Sequence, residues 1–328
     1  MPNTKVVQTN LNAAAVELFD EMLENSEVLK AEVIETKTGP ILIDFGINAK
    51  GGFLAGEYIT QLCLGGIGEV SLNVTKYTDE FSLPSISVIT DFPAEATLGS
   101  QFAGWSINKE NYRAMGSGPA RVLARKPKHI FEKLPLVEEI DEAVIVLETD
   151  KLPTDKVLRY IAEKCKVELD SLYVVVVPTT CLAGSTQISG RSIETALHKL
   201  FDLGMDVNQI ISASGSAPIA PIHNKNSDLM MGRTNDMLIY GAEVYLQVEC
   251  KDELKMLEYL EKATSKSSTK YGSLFYEIVK EAKGDFYKID PSIFAPAKIV
   301  VNNINTGKTH SFGRVNSEML EKSIHFYV

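Results

Sequence analysis

The chain has few cysteines and histidines, and neither residue type is clustered. Among 328 residues there are 4 cysteines and 5 histidines, with no CxxC pair and no HExxH motif. Disulfide frameworks and zinc sites depend on such spacings, so we expect free thiols, no metal site and a reducing cytoplasm. The cysteines are Cys63, Cys165, Cys181 and Cys250.

The sequence also lacks long apolar runs and an excess of basic residues. Runs such as Leu172–Val177 and Ala143–Leu147 fall well short of the roughly 18–20 residues that span a bilayer. The first ten residues, MPNTKVVQTN, lack the basic stretch and apolar core of a secretory signal, which favours a cytoplasmic location. With 33 Lys and Arg against 43 Asp and Glu, the net charge is −10. This balance disfavours nucleic acid as the main partner, because phosphates require a basic surface.

What the chain does have is enough apolar material for well-packed cores. Hydrophobic residues make up 45% of the sequence and charged residues 23%, as in soluble globular proteins. Its length exceeds the roughly 150 residues of one ordinary domain, so we predict two. We expect an α/β fold with a first α/β domain over residues 1–125. A second, over residues 126–328, would hold the catalytic helix and a C-terminal hairpin, and either domain could be discontinuous in sequence.

Two segments follow the same order of strand, glycine-bearing loop, helix, Leu-Gly stop and strand. They run from Ile41 to Val74 and from Tyr173 to Ser212. The repetition indicates two related α/β units, although ordinary α/β proteins repeat the same arrangement, and that alternative is favoured. Between them, Gly104 to Leu136 shows little periodicity and is predicted to be rich in loops.

A helix predicted over Ser189–Leu203 carries the most promising acid–base groups. Arg191, Glu194 and His198 fall on one face, beside an apolar stripe. Arg191 and Glu194 are three residues apart, so their side chains can meet. Partial burial would disfavour the ionised carboxylate and the guanidinium would favour it, which suits a base that works near neutral pH. From spacing alone, an ordinary surface ion pair is the favoured alternative.

Several glycine-bearing and polar segments are candidate ligand loops. Gly46 to Gly56 matches GxxxxG, but Gly52 and Phe53 occupy the positions of the required Lys and Ser/Thr, which excludes a P-loop NTPase. Pro178–Gln187 follows a predicted buried strand, where open α/β sheets bind ligands. Gly116-Ser117-Gly118 could form a backbone anion nest, and Met231–Asp236 is dense in hydrogen-bonding groups. For the last three segments, a plain turn or connection is about as well supported as a ligand-binding role.

Six ordered segments spread over nearly the whole chain carry a more specific signal. Together they closely resemble the methenyltetrahydromethanopterin cyclohydrolase family. The segments are Gly51–Gly56 with Cys63–Gly66, Ser100–Trp105, Met115–Arg121, Leu182–Ser185 with Glu194–Leu200, Met231–Asp236, and Phe294–Ala297.

The resemblance implies reversible hydrolysis of N5,N10-methenyl-tetrahydromethanopterin to the N5-formyl compound. It also implies two α/β domains with the pterin pocket between them, no metal, no diffusible cofactor, and a homo-oligomer, expected to be a trimer. The family's catalytic Arg and Glu match Arg191 and Glu194. We expect Glu194 to be the base and Arg191 to hold it ionised and in place. The expected substrate-binding residues are Gly116, Ser117, Gly118, Arg121, Arg233, Thr234, Asn235 and Asp236.

Two other classes of function stay open at this point. One is a different hydrolase or isomerase on the same scaffold, acting on a related pterin or folate. The other is a non-catalytic binding module for a phosphorylated pterin-like metabolite, whose binding would not depend on Glu194. The sequence does not distinguish a role in methane formation from one in formaldehyde oxidation.

Overall fold

A computed structural model describes residues 7–284 and 288–327. Contacts between residues divide the chain into two compact units, each assembled from two separate stretches. The first unit contains Met1–Gly68 and Glu95–Gly184, and the second contains Glu69–Ala94 and Ser185–Val328. The predicted division between residues 125 and 126 does not coincide with these units, because strands on both sides of it pair within one sheet. The expectation that no secretory signal is present concerns the first ten residues. Of these, residues 1–6 lie outside the described residues.

The first unit is built on a six-stranded mixed sheet with the order β2-β3-β10-β9-β7-β6. Its strands are β2 (Glu32–Glu35), β3 (Ile41–Asp44), β6 (Trp105–Lys109), β7 (Tyr112–Ser117), β9 (Ala143–Glu148) and β10 (Leu172–Val177). Strands β3, β10 and β9 are parallel, with Val174 opposite both Leu42 and Ile145. Two short strands, β1 (Val7–Gln8) and β8 (Leu136–Val137), form a separate parallel pair.

Helices cover both faces of this sheet. They are α1 (Leu11–Glu24), α2 (Phe53–Cys63), α3 (Ala120–Ala124), α4 (Lys128–Lys133) and α5 (Asp155–Cys165). Val174 and Val176 pack with side chains of α5 in one core. Val175 and Val177 pack with side chains of α1 and α2 in another. This alternation explains why β10 is an almost unbroken β-branched run, since both of its faces are buried.

The second unit contains another six-stranded sheet, with the order β14-β13-β12-β11-β5-β4. Its strands are β4 (Glu69–Lys76), β5 (Ser82–Thr90), β11 (Ile210–Pro218), β12 (Glu243–Val248), β13 (Lys298–Asn303) and β14 (Lys308–Gly313). Strands β12 and β13 are parallel, and the other neighbours are antiparallel.

The part of the chain that the structure describes contains six further α-helices. They are α6 (Leu182–Ser189), α7 (Ser192–Asp202), α8 (Ser227–Gly241), α9 (Glu253–Leu260), α10 (Phe275–Glu281) and α11 (Ser317–His325). Helices α7 and α8 both contact β11. Side chains of α8, α10 and α11, including Tyr240, Phe275 and Leu320, share one buried cluster. Within the described residues, no helix is both long and apolar enough to cross a membrane.

The α/β fold class is confirmed. The apolar runs Ala143–Leu147 and Leu172–Val177 lie in β9 and β10, and β13 and β14 form the predicted C-terminal hairpin. Gly65 and Gly66 follow the end of α2, and their φ angles of 68° and 71° lie in the left-handed region that favours glycine.

Two sequence-based interpretations are wrong. The stretch from Gly104 to Leu136 is not rich in loops, because it contains β6, β7, α3 and α4. The strands β6 and β7 do alternate between buried and exposed residues, but each run is short. The two similar segments are not separate α/β units either. Their first strands, β3 and β10, pair in one sheet, and their last strands, β4 and β11, belong to the other.

Candidate active site

Arg191 lies in a break between two helices rather than inside one. The sequence predicted a single helix over Ser189–Leu203, but α6 ends at Ser189 and α7 begins at Ser192. Arg191 is the N-cap residue of α7, with φ −90° and ψ 15°. This sparsely occupied backbone region is one in which many active-site residues are found. The predicted ligand loop Pro178–Gln187 is correspondingly shorter, because α6 already starts at Leu182.

Contacts with β11 and the residues after it hold this break in place. The Ser189 hydroxyl donates to the carbonyl of Pro218 at 2.7 Å, and the Ser185 hydroxyl donates to that of Ala220 at 2.8 Å. On Gly215 of β11, a Cβ atom would lie 2.5 Å from Oγ of Ser192. The glycine therefore allows the start of α7 to lie directly against the strand. Small residues and hydroxyl groups thus fix the position of Arg191.

Glu194 occupies the first turn of α7, three residues after the N-cap. Glu194 is 7% exposed and Arg191 is 6% exposed, so both residues are largely removed from water. Burial disfavours the ionised carboxylate, whereas the positive end of the helix dipole stabilises it. The Thr195 hydroxyl and the Thr195 N–H both donate to the Arg191 carbonyl, which fixes the backbone between the two site residues. His198, one turn later, lies 3.8 Å from the Asp202 carboxylate.

The guanidinium of Arg191 is oriented by Gln187, one turn earlier in α6. Oε1 of Gln187 accepts hydrogen bonds from Nε at 3.2 Å and from Nη2 at 2.9 Å. Gln187 is itself only 1% exposed. Two bonds to one edge of a planar guanidinium fix both its direction and its plane.

Four of the predicted substrate-binding residues lie in the interior of the first unit. Gly116 and Ser117 end β7, and Gly118 follows with φ 94° and an N–H bonded to the Ser100 carbonyl at 2.9 Å. Arg121 is fully buried in α3. Its Nη1 donates to three carbonyls, those of Leu98, Gly99 and Ser100. These bonds hold a π-helical segment, Ala94–Gln101, and they favour a structural role for Arg121.

The other four predicted substrate-binding residues lie in the middle of α8, not in a loop. Arg233 donates from Nη2 to the carbonyls of Ile324 and Phe326, and from Nη1 to that of Pro221. The Thr234 hydroxyl and the Asn235 amide both donate to carbonyls one turn earlier in the same helix. The structure therefore groups these residues with the C-terminal residues of the second unit.

Asp236 is a buried carboxyl that joins three helices. It is 1% exposed, and it accepts from the N–H of Phe275 at 2.8 Å and from the hydroxyl of Ser323 at 2.7 Å. Burial raises the pKa of Asp236 to about 7, although both hydrogen bonds act to lower it. The group thus ties α10 and α11 to α8.

Comparison of the sequence with known proteins places the chain in a family. The family model described as Cyclohydrolase (MCH) matches residues 10–324. The chain belongs to this cyclohydrolase family. Methenyltetrahydromethanopterin cyclohydrolase of Methanocorpusculum labreanum is 43% identical over 314 residues, covering 96% of this chain and 98% of that protein. The proteins of the same name from Methanoculleus marisnigri and Methanocaldococcus jannaschii are 44% and 42% identical, covering 97% and 96% of this chain and 99% and 98% of their own lengths.

Polar groups at the carboxyl ends of the parallel strands are a part of this cyclohydrolase that sequence reasoning did not single out. Asp44, at the end of β3, accepts hydrogen bonds from the N–H groups of residues 46 to 49. Glu148 ends β9, and its Oε1 accepts from the hydroxyl of Thr179, just after β10, at 3.2 Å. An acidic residue directly after each apolar run was the available signal, because this edge of an α/β sheet is where ligands bind.

Two cysteines of this cyclohydrolase, Cys181 and Cys165, are unsuited to nucleophilic chemistry. Burial raises the pKa of Cys181 to about 11 and that of Cys165 to about 12, so both stay protonated thiols at neutral pH. All four cysteines are free and buried. Over residues 7–284 and 288–327, no group of three His, Cys, Asp or Glu side chains is arranged to hold a metal ion.

Proposed function

We propose that this chain catalyses the reversible hydrolysis of N5,N10-methenyl-tetrahydromethanopterin to N5-formyl-tetrahydromethanopterin. The observation that carries the proposal is a buried carboxylate, Glu194, in the first turn of α7, three residues after an arginine held by Gln187. The names of relatives that match over nearly the whole chain supply the substrate.

The chemistry suits a site with one carboxylate and one guanidinium. The bridge carbon of the methenyl compound is already an amidinium cation, so it needs no Lewis acid to become electrophilic. As water attacks that carbon, Glu194 takes one of its protons and a C–O bond forms. The neutral carbinolamine then collapses: the hydroxyl proton leaves to solvent, the C–N10 bond breaks, and protonated Glu194 returns its proton to N10. The sum is one water consumed and one proton released.

Arg191 acts on Glu194 rather than on the bond that breaks. A guanidinium three residues before the carboxylate keeps it ionised and fixes its direction, so that the base is ready when substrate arrives. The start of α7 adds the helix dipole in the same sense. The substrate cation gains from the ionised carboxylate as well, because opposite charges attract strongly where water is excluded.

We also propose that the eight predicted residues bind the substrate. The contacts of Arg121, Arg233 and Asp236 with backbone groups and with Ser323 support this role, because they fix the chain segments that carry these residues. Gly116, Ser117 and Gly118 support the same role through close backbone packing in β7 and the following turn. Thr234 and Asn235 belong to the same stretch of α8.

Four further features belong to this proposal. The enzyme uses no metal and no diffusible cofactor, since the cationic bridge carbon needs neither. The protein is a homotrimer, a feature taken from the family resemblance. It functions in the cytoplasm, which fits its four free cysteines. Its place is one-carbon metabolism, in methane formation or formaldehyde oxidation.

The test is an optical assay with the chelator-treated protein. Methenyl-tetrahydromethanopterin is mixed with enzyme, and loss of the methenyl chromophore is compared with a sample without enzyme. We expect fast loss that does not depend on added metal. A Glu194→Gln variant should lose at least about 10²-fold in kcat, which is the usual contribution of a positioned general base. Glu258→Gln, which removes an exposed carboxylate of α9, is the matched control and should behave like the unmodified chain.

Each outcome decides between the candidate functions. Tight binding of the pterin without any acceleration would establish the non-catalytic binding module. Turnover of a related folate in preference to the methanopterin compound would establish a different enzyme on the same scaffold. Near-normal turnover by Glu194→Gln would remove Glu194 from the role of base.

A further inference from the structure

We propose that Gln187 is a positioning residue for the hydrolysis, and that it acts only through Arg191. The inference rests on the proposed function and adds a residue to it. Neither the spacing of Arg191 and Glu194 nor their chemistry points to Gln187; the observation is the pair of hydrogen bonds from the guanidinium to one amide oxygen.

The geometry allows Gln187 to fix the orientation of the Arg191 guanidinium. Its Oε1 engages Nε and Nη2, the two nitrogens along one edge of the guanidinium, at 3.2 and 2.9 Å. An arginine side chain has several rotatable bonds, and a second anchor near its end removes most of that freedom. The guanidinium can then meet another acceptor only through its remaining N–H groups. Its orientation is therefore set before substrate binds.

The hydrogen bonds between Gln187 and Arg191 span the break between α6 and α7. Gln187 is in the last turn of α6, and Arg191 caps α7. Because Arg191 is outside both helices, the regular helix geometry does not fix its side chain. A side chain from the preceding turn supplies that constraint, and its 1% exposure means that water does not compete for the hydrogen bonds.

A neutral amide suits this task better than a carboxylate would. A carboxylate at position 187 would offset the guanidinium charge that keeps Glu194 ionised. The amide oxygen accepts two hydrogen bonds without adding charge. Gln187 thus orients Arg191 and leaves its electrostatic effect on Glu194 intact.

The experiment is a double-mutant cycle in the optical assay. Gln187→Met keeps the chain length but removes the amide oxygen, and it should lower kcat by about 10- to 10²-fold with KM nearly unchanged, as expected for a misplaced catalytic group. The same change in an Arg191→Leu background should cost no further rate, because the residue through which Gln187 acts is already gone. Gln187→Glu, which restores an acceptor, should recover part of the loss.

The control is Ser265→Ala, which lies outside α6 and α7. It removes a buried hydrogen bond, the 2.6 Å contact with the Ile239 carbonyl, but does not touch the guanidinium. We expect a lower melting temperature with an unchanged kcat. If Gln187→Met does not fold, as judged by its thermal transition, Gln187→Asn replaces it. That variant withdraws the oxygen by one methylene, and the same loss and the same cycle are expected.

One result would overturn the proposal: losses from Gln187→Met and Arg191→Leu that multiply in the double variant, because Gln187 would then act independently of Arg191. This result is distinct from failure of the proposed function, in which the unmodified chain itself would not accelerate loss of the chromophore.

Discussion

Two Arg–acid pairs with identical spacing have different surroundings in this molecule. Arg191 and Glu194 span the start of α7, where the guanidinium is bonded to a side chain, Gln187. Arg233 and Asp236 lie within α8, where the guanidinium is bonded to backbone carbonyls and the carboxyl to a backbone N–H and a hydroxyl. Both pairs are largely buried.

The difference shows that position along a helix decides what such a pair can do. At a helix start, the N–H groups and the dipole favour an ionised carboxylate. In a helix interior those effects are absent, and desolvation dominates, which raises the pKa of Asp236 to about 7. One pair is suited to proton transfer with a charged base, and the other to holding chain segments together.

The largest expected effect is on stability, at the α8 pair. Asp236→Ala leaves the Phe275 N–H and the Ser323 hydroxyl without their acceptor, at about 1–3 kcal/mol for each buried donor. Urea denaturation should show this loss. Asp228→Ala, which removes an exposed carboxylate in the first turn of the same helix, should cost only a few tenths of a kcal/mol. Equal losses would show that Asp236 does not join the helices.

The next largest effect is a difference between Arg191 and Arg233 in how their substitution changes the rate and the melting temperature. Arg191→Leu should lower kcat by about 10- to 10²-fold, because the proposed base, Glu194, loses the positive charge three residues before it. Arg233→Leu should lower the melting temperature more than Arg191→Leu does, since it deprives the carbonyls of Pro221, Ile324 and Phe326 of their donor. Rate assays and thermal melts on both variants check this. A larger rate loss in Arg233→Leu than in Arg191→Leu would show that the α8 pair also takes part in catalysis.

The smallest effect concerns the pH dependence of stability. The pKa of Asp236, about 7, lies above the ordinary carboxyl value of 3.8, so between these values the folded chain binds more protons than the unfolded chain. This contribution to stability is complete at low pH and is lost as the pH rises through about 7. Relative to Asp236→Asn, which cannot ionise, the unmodified chain should lose about 1 kcal/mol between pH 6 and pH 7. Denaturation curves at both pH values measure it, and parallel curves would contradict the raised pKa.

The sequence predicts most of the strands that bury apolar side chains on a regular period. Leu172–Val177 and Ala143–Glu148 are examples, because a strand covered on both faces must be apolar throughout. Strands β6 and β7 were missed because their runs of alternation are short. The division into units was also out of reach, since it depends on which strands pair, and β5 pairs with a strand that lies far along the chain.

At the candidate site, spacing and family resemblance led to the prediction of Arg191 and Glu194, but not to the break between α6 and α7. That break depends on Gly215, Pro218 and Ala220, whose contacts become visible only after β11 has folded against the helices. Arg121 was predicted to meet substrate because it follows a glycine-rich turn. Its carbonyl partners, at residues 98 to 100, precede it by 21 to 23 residues in the sequence. Nothing in the sequence around Arg121 indicates these contacts.

The interleaving of the two units along the chain has a consequence for synthesis on the ribosome. Strands β4 and β5 emerge early, yet the other edge of β5 is completed only when β11 has been made. Until then the nascent hairpin carries an open edge, which is a template for pairing with other chains. No single cut in the gene between β2 and β14 yields two self-sufficient halves, because every such cut leaves at least one sheet without some of its strands. Split-protein reporters and domain swaps would therefore have to move two segments at once.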